Sequence, residues 1–416
     1  MNSECEDKSS DRSNDVDIAI VGAGLVGLPL ALGLSAQGWS VVLIEASKPL
    51  QSSASEGTID ASSRISIKES ALRQRCTAMN VGTQQWLVRN GLWGCLAEDA
   101  CTIERVNVSH KGYFGATRLQ AAEFGLKALG YVVNNQNYVQ HLRAACENSA
   151  IDLQFNARVV SVEHDEHSVT LNMGNGASQK ARLLIAADGI NSVVRESTGI
   201  ATSQVDYEQS AVLGMVELAT PHGGIAHERF TQTGPLALLP RPGLFMNFVD
   251  CIAPSEQSTI EKMTDYEYLT RLQTRFGYRL GKFKHVGPRF VMPLLRIESE
   301  AQTSRRTVLM GNAVRLLHPV GGQGYNLSMR DVDELVKLLD KDVVSDPGAD
   351  KLLTDFALAR RADQKSIVRL TDMLARGFRG HASIPGHLRS TALLGLDMIS
   401  PLRKQFASKT MGVTGL

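Results

Sequence analysis

Three stretches of the chain hold residues whose types and spacing point to chemistry. The first is GAGLVG, in which Gly22, Gly24 and Gly27 stand in GxGxxG order. An apolar run, Asp17 to Val21, precedes it. A helical pattern from Leu28 to Gln37 follows, and a second apolar run, Trp39 to Ile44, ends on Glu45. Gly22 permits a tight turn, Gly24 lets a pyrophosphate approach the backbone, and Gly27 lets the helix pack on the strand. The helix start offers free N–H groups and a positive dipole end to phosphates. Glu45 is placed to accept hydrogen bonds from ribose hydroxyls. Pro29 falls in the first helical turn, where a missing N–H is tolerated. The order strand, glycine turn, helix, strand, acid predicts a dinucleotide site and suits FAD and NAD alike. The bland alternative is a glycine-rich turn with Glu45 a solvated strand end.

The second stretch is IAADGINSVVR, residues 185 to 195. A strand ends at Asp188 and Gly189 makes the turn. Asp188 is placed to accept backbone hydrogen bonds, and Arg195 to pair with it or with a phosphate; a plain strand-turn-helix is the alternative. The third is VLMGNAVRLLHPVGGQGYNLSMRD, residues 308 to 331. It gives a strand, Gly311-Asn312, a loop with His318-Pro319, then Gly321, Gly322 and Gly324 at a helix start. The glycines let backbone lie against a planar ring. The N–H groups of Gly324, Tyr325 and Asn326 would stabilise negative charge on a flavin's carbonyl edge, and Asn312 can bond a ribityl hydroxyl. His318 is either a satisfied, partly buried imidazole or a base.

The elements around these stretches follow from periodicity. Residues 47 to 74 form a long Ser-rich loop with Arg73 and Arg75 at its end, either solvated or laid over a cofactor. Thr77 to Asn90 is expected as a helix, 103 to 118 as an alternating strand with a turn at Lys111-Gly112, and Gly130 to Cys146 as strand then helix. Ile151 to Glu163 and Val169 to Met173 look like two strands, and Ala181 to Ala187 like a buried one. Alternating segments Val212 to Leu218, Phe245 to Cys251 and Phe290 to Leu295 predict an antiparallel sheet interrupted by a helix over Thr264 to Phe276. Thr307 to Met310 returns to a buried strand, and helices follow over Gly324 to Leu339 and Lys351 to Leu374.

Bulk properties bound the function. At 416 residues the chain exceeds one ordinary core, and at 43% hydrophobic it is typical of a globular protein. A net charge of +1 gives no reason to expect nucleic acid as a partner. The six cysteines form no CxxC and no metal-ligand spacing, which suits reduced thiols and speaks against a disulfide reductase and a metal site. Residues 1 to 15 are polar and acidic, unlike a signal or transit peptide. No apolar run approaches the roughly 18 residues of a membrane span. The expected location is cytoplasmic, with any membrane contact peripheral and on the inner face. Residues 387 to 409 combine Leu393, Leu394, Leu396, Met398, Ile399, Leu402 and Phe406 with Arg389, Arg403, Lys404 and Lys409. That composition fits an interfacial helix, and equally a helix docked on the protein's own core or on a partner.

Together these stretches resemble the flavoprotein aromatic hydroxylases of the para-hydroxybenzoate hydroxylase fold, and among them the UbiH-like hydroxylases of ubiquinone biosynthesis. The resemblance covers nearly the whole chain after the tail. It is carried by GAGLVG with Glu45, Asp188-Gly189, and HPVGGQGYNLSMRD. The family's third motif normally has Gly-Asp, where this chain has Gly311-Asn312. That asparagine and ERFTQTGPLALLP (228 to 240) are similar to the branch acting on 2-polyprenyl-6-methoxyphenol. The amide keeps an acceptor for the ribityl chain and removes a charge.

The resemblance implies FAD as cofactor, and NAD(P)H as co-substrate without a second GxGxxG. It implies Arg75, in RCTAMN, as a cofactor contact and the Val159 backbone as an adenine contact. The implied fold is α/β: an FAD-binding dinucleotide domain interleaved with a mainly antiparallel substrate domain, then C-terminal helices. The expected boundaries are a disordered tail at 1–15, FAD-binding parts at 16–100, 119–204 and 299–365, substrate-domain parts at 101–118 and 205–298, and helices at 366–416. The implied reaction is ring hydroxylation of a polyprenylated phenol by NAD(P)H and O2 through a flavin hydroperoxide, with the hard chemistry in the cofactor. His318, Pro319, Gly321 and Gly322 form the flavin-facing loop, Phe230, Leu238 and Pro240 are pocket candidates, and no side chain stands out as a base. Membrane lipid or other ubiquinone-biosynthesis proteins are the partners expected of the C-terminal helix. The rivals are a hydroxylase of another aromatic, a flavin-dependent isoprenoid reductase, and a non-catalytic scaffold subunit, for which Asn312 is a reason.

Overall fold

The computed structural model describes residues 15–48, 74–377, 391, 394–395 and 397–412. Most of the 47–74 loop, with Arg73, lies outside the described residues, as do the tail before Asp15 and Arg389, Leu393 and Leu396.

The first apolar run becomes the Asp15–Val21 strand, in the middle of an eight-stranded sheet. Thr307–Leu309, Ser178–Ala186, Asp15–Val21, Val41–Glu45 and Asp152–Phe155 lie side by side in that order, all parallel. Helix Gly27–Ala36 and helix Asn135–Glu147 cover one face together with helix Gln323–Leu338, burying Ile18, Ile20, Leu43 and Ile185. The opposite face buries Ala19, Val21, Val42 and Ile44 against Val159, Val169 and Leu171. Burial on both faces explains why 18–21, 41–44 and 183–186 are continuously apolar rather than alternating.

The second sheet has nine strands. Its order runs Arg315–Leu316, Phe290–Ser299, Thr202–Leu218, Phe245–Ile252, Gly234–Pro240, Ile225–Thr231, Arg105–His110, Ala116–Gln120, with Phe283–Val286 beside Thr202–Leu218. Its pairs are antiparallel except Ile225–Thr231 with Arg105–His110. Helix Asp265–Phe276 covers it, seating Tyr268, Leu272 and Phe276 on Val212, Val216 and Phe248. Thr264 and Glu267 cap that helix reciprocally: the Glu267 N–H donates to Thr264 Oγ1 at 3.3 Å, and the Thr264 N–H to Glu267 Oε2 at 2.8 Å.

Four expectations are corrected. Thr77 to Asn90 is not all helix: Cys76–Asn80 is a strand, and the helix is Val81–Arg89, capped by Asn80 Oδ1 accepting the Thr83 N–H at 2.9 Å. Ile151 to Glu163 is not one strand. Asn156, at φ 55°, breaks it into Asp152–Phe155, parallel to Val41–Glu45, and Val159–His164, antiparallel to Val169–Met173. The 103–118 segment is also divided. Cys101–Ile103 joins a small sheet with Gly130–Asn134 and Cys76–Asn80, because the Glu104 N–H donates to Gly224 O at 2.9 Å and turns the chain. The strand expected at Val212 begins at Thr202; its polar first half is hidden from periodicity by a register shift between Asp206 and Ser210, where Glu208 has φ 51°.

Asp331 joins the parts. It is 0% exposed on helix Gln323–Leu338, whose Met329, Val332 and Leu335 pack in the core over the first sheet. It accepts from Arg315 at 2.8 Å, on a strand of the second sheet, and from Arg360 at 2.6 Å, on helix Asp350–Gly377. Gln364 Nε2 adds a bond at 2.9 Å. Removing one member of a buried ionic cluster strands the others. Asp331→Ala is therefore expected to lower stability by about 3–5 kcal/mol, measured by urea denaturation.

Candidate functional site

The glycine turn is closed by backbone contacts that leave no room for side chains. Gly22 has φ 106°, and a Cβ there would strike Ala187 O; a Cβ on Gly27 would strike Gly22 O. The Gly22 N–H donates to Ile44 O at 2.7 Å, and the Ala187 N–H to Val21 O at 2.7 Å. A Cβ on Gly24 would meet no described protein atom within 4 Å, so this glycine faces open space. Glu45 ends its strand with Oε2 accepting from the Ala23 N–H at 2.9 Å and Oε1 from the Ser47 N–H at 2.9 Å. The carboxylate is thereby held beside the turn. Helix Gly27–Ala36 has no side-chain cap; its Leu28 N–H is taken by Gly24 O at 3.2 Å and Pro29 has none, so the N–H groups left to a ligand are those of the turn just ahead of them.

The other motifs are drawn to this turn. Asp188 follows Ala187 directly, and Gly311, at φ 58°, lies against Val26, whose Cγ2 a Cβ would meet at 3.2 Å. Arg195 corrects its expected role. Among the described residues its guanidinium meets backbone carbonyls rather than a carboxylate. It is buried and donates to Ala313 O at 3.0 Å and Ile190 O at 2.8 Å, strapping the Asp188 turn to the Gly311-Asn312 turn. Asn312 is exposed on that turn. Val159 is buried beside Ile44 and Val21.

The third motif forms a left-handed pair, Gly321 at φ 67° and Gly322 at φ 61°, leading into helix Gln323–Leu338, which also lacks a side-chain cap. His318 is 0% exposed, its Nδ1 accepts the Val320 N–H at 3.1 Å, and its ring meets Tyr207 edge-on. That geometry braces the loop and keeps the imidazole from solvent and from both cavities described below, so a role as base is set aside. Asn326 contributes more than an N–H. Its Oδ1 accepts from the Asn80 N–H at 2.9 Å and Thr83 Oγ1 at 2.8 Å, and its Nδ2 donates to Ala78 O and Gly322 O. The Tyr325 hydroxyl bonds that of Tyr138 at 2.6 Å.

Two cavities flank the loop. One of about 210 Å³ is lined by Arg75, Cys76, Leu239, Leu317 and Pro319. The other, of about 490 Å³, is lined by Leu119, Glu228, Phe230, Gly321 and Phe406 among mostly apolar neighbours. Phe230 thus takes its expected place. Leu238 and Pro240 line neither cavity: side chains alternate along the strand, so Leu239 faces the smaller cavity while Leu238 sits in the core with Leu236 and Phe248. The C-terminal helix Ser400–Met411 docks on the protein's own core through Ala407 and Met411, and Thr410 O accepts from Asn80 Nδ2 at 3.0 Å.

The FAD binding domain family matches residues 15–371. The chain belongs to that family. The ubiquinone hydroxylase UbiL of Rhodospirillum rubrum is 31% identical over 403 residues, covering 96% of this chain and 90% of its own. The 3-demethoxyubiquinol 3-hydroxylase of Escherichia coli is 27% identical over 405 residues, covering 95% and 98%. The crystal structure of HpxO from Klebsiella pneumoniae, complexed with FAD and uric acid, shares the fold at a TM-score of 0.72 and 17% identity, covering 96% of this chain and 97% of that one. The protein is an FAD-dependent monooxygenase of the UbiH-like hydroxylases, with the para-hydroxybenzoate hydroxylase fold.

The residues present fit FAD. Asp188 Oδ1 is buried without a hydrogen-bond donor, and burial raises the Asp188 carboxyl above its ordinary range despite the Ser192 and backbone donors around it. A buried oxygen left so is unfavourable until a hydroxyl reaches it. Gly24 supplies the open approach, and the turn ahead of helix Gly27–Ala36 and the uncapped start of helix Gln323–Leu338 supply N–H donors. No helix among the described residues is long and apolar enough to cross a membrane.

Glu228 was not singled out from the sequence. The available signal was spacing, since Glu228 and Phe230 two apart on a strand share a face. Burial pushes its carboxyl from 4.5 up to about 7, with only the Gly321 N–H opposing.

Two predictions follow from this geometry. Gly24→Val should leave stability within about 0.5 kcal/mol yet weaken FAD binding on the order of tenfold or more. Gly27→Ala should cost about 1–3 kcal/mol through the clash. Flavin absorbance per chain and urea denaturation separate the two. The raised Glu228 value also makes a pH signature. The protonated carboxyl favours the fold, so its contribution is complete below pH 4.5 and is lost as pH rises through about 7. Asp17 and Asp346, held low, act below that window, and His227, lowered by burial to about 4, adds stability with rising pH inside it in wild type and variant alike. Glu228→Gln should therefore flatten the fall in stability between pH 4.5 and 7, read by urea denaturation across pH.

Proposed function

We propose that this monooxygenase hydroxylates the ring of a polyprenylated phenol in ubiquinone biosynthesis, with 2-polyprenyl-6-methoxyphenol as substrate. The observation that carries the reading is the 490 Å³ cavity beside Gly321, whose apolar walls suit a prenyl chain. The names of the two hydroxylase relatives support it. In this reading the first sheet and its helices are the FAD-binding domain, and the nine-stranded sheet is the substrate domain.

Gly22, Gly24 and Gly27 with their helix start hold the cofactor's pyrophosphate. Glu45 takes a ribose, Val159 the adenine, and Arg75, Asp188, Gly189, Gly311 and Asn312 the rest of the chain. The N–H groups at Gly324, Tyr325 and Asn326 face the ring system. The chemistry that FAD would supply when bound is the redox exchange between NAD(P)H and O2 that puts one oxygen atom on the substrate ring. The protein's own part is positional. The Pro319, Gly321 and Gly322 backbone walls the reacting ring, and apolar side chains keep water out. Each prenyl CH₂ moved from water to those walls contributes about 0.8 kcal/mol. Met398 and Ile399, exposed just ahead of the C-terminal helix, are the contact we assign to a membrane surface, which places the enzyme peripherally.

The Escherichia coli relative's name favours a second reading, hydroxylation of the same ring at the 3-demethoxy position. Mass spectrometry of quinone intermediates in cells lacking the protein separates the two. Accumulation of a prenylated methoxyphenol with loss of ubiquinone is expected. A demethoxy intermediate instead selects the second reading, and unchanged ubiquinone with no intermediate refutes both.

A further inference from the structure

We propose that Glu228 is the base that takes the phenolic proton of the ring substrate, an inference that rests on the polyprenylated-phenol reading above. Glu228 lies on the Ile225–Thr231 strand and shares its cavity-facing side with Phe230. It is the one charged side chain among the described residues that line the cavity. Its Oε2 is 3.4 Å from the Gly321 N–H, in the loop that carries the left-handed glycine pair. Its Oε1 is buried without a hydrogen-bond donor. A buried carboxylate oxygen without a donor destabilises a fold, and a methyl group would fill the same space more favourably. A phenolic hydroxyl brought in with its chain along the apolar wall supplies the missing donor.

The proton step balances without a co-reactant. The phenolic O–H bond breaks, its electron pair stays on the phenolate oxygen, and the proton forms an O–H bond on the Glu228 carboxylate. The negative charge moves from Glu228 to the ring, which becomes more electron-rich at its ring carbons. Among the described residues that line the cavity with Glu228 there is no countercharge. Helix Asp350–Gly377 presents Leu370, Met373 and Leu374 to the cavity, and helix Ser400–Met411 presents Phe406, Thr410 and Met411. The Cys251 thiol, two strands away, is held well above its usual range by burial and then by Asp250 and Glu228, so it stays neutral. With burial placing the Glu228 carboxyl at about 7, it is poised for a general base near neutral pH.

The test compares the holoenzyme with its Glu228→Gln and Glu228→Asp variants. FAD per chain is measured first and is expected to be the same in all three. Hydroxylated product from 2-geranyl-6-methoxyphenol is then followed by mass spectrometry from about pH 5.5 to 9, around the working range of such a base. In the wild type, kcat/KM should rise with pH and level off above an ionisation near 7. Glu228→Gln should lower kcat/KM by about 10²–10⁴-fold and lose that ionisation, while Glu228→Asp keeps it and recovers part of the rate. An unchanged rate in Glu228→Gln overturns the proposal. A uniform loss with the ionisation retained overturns it too, since that marks a structural role. If the wild type binds FAD but makes no product from this phenol at any pH, the substrate reading fails and the role of Glu228 falls with it.

Discussion

The buried Asp331 carboxylate is the constraint on which the architecture turns. Its two arginines come from different parts of the fold, Arg315 from the end strand of the nine-stranded sheet and Arg360 from the long helix behind it. Such a cluster is favourable only when every member is present, since an unpaired buried charge has no water to turn to. The helix bearing Asp331 is the one whose N-terminus follows Gly321 and Gly322. The pose of that N-terminus against the cofactor site is therefore set by ionic contacts at its third turn. Asn326 adds a second anchor one turn in, tying the same helix to Ala78, Asn80 and Thr83.

Around the dinucleotide turn the governing interaction is backbone against backbone. Gly22 and Gly27 are closed by carbonyls that would strike any Cβ, while Gly311 packs on the Val26 side chain. Arg195 then bonds the carbonyls of two separate turns. The result is a set of loops held by the chain itself, with an open face at Gly24 and a donor-less oxygen at Asp188. Pre-organisation of this kind lowers the ordering that binding requires.

The cavity beside the glycine loop is built on the opposite physics. It offers apolar area and little else, so any affinity there would come from removing hydrocarbon from water. One carboxylate at the loop end supplies direction: a ligand that is apolar along its length and carries a hydroxyl at its head satisfies both. The C-terminal helix completes this wall, and Phe406, Ala407 and Met411 turn to the protein's interior.

How much of this was legible depends on distance along the chain. The spacing of Gly22, Gly24, Gly27 and Glu45, the strand before Asp188 and the glycines after Pro319 each lie within one local unit. Local sterics and hydrogen bonding are enough to dictate strand, turn and helix there, and with them the FAD-binding fold. What lay outside that reach needed contacts between distant segments. Asn326 meets Asn80 across 246 positions, and Arg195 meets Ala313 across 118. From sequence His318 reads as a satisfied, partly buried imidazole ahead of a base; its full burial and its edge contact with Tyr207 come only from packing. Glu228 reads as an ordinary charged strand residue until two helices and the glycine loop close around it. Residue spacing determined which backbone could approach a dinucleotide; only packing decided which polar atoms lost their water, and that loss is what turns a side chain into a functional group.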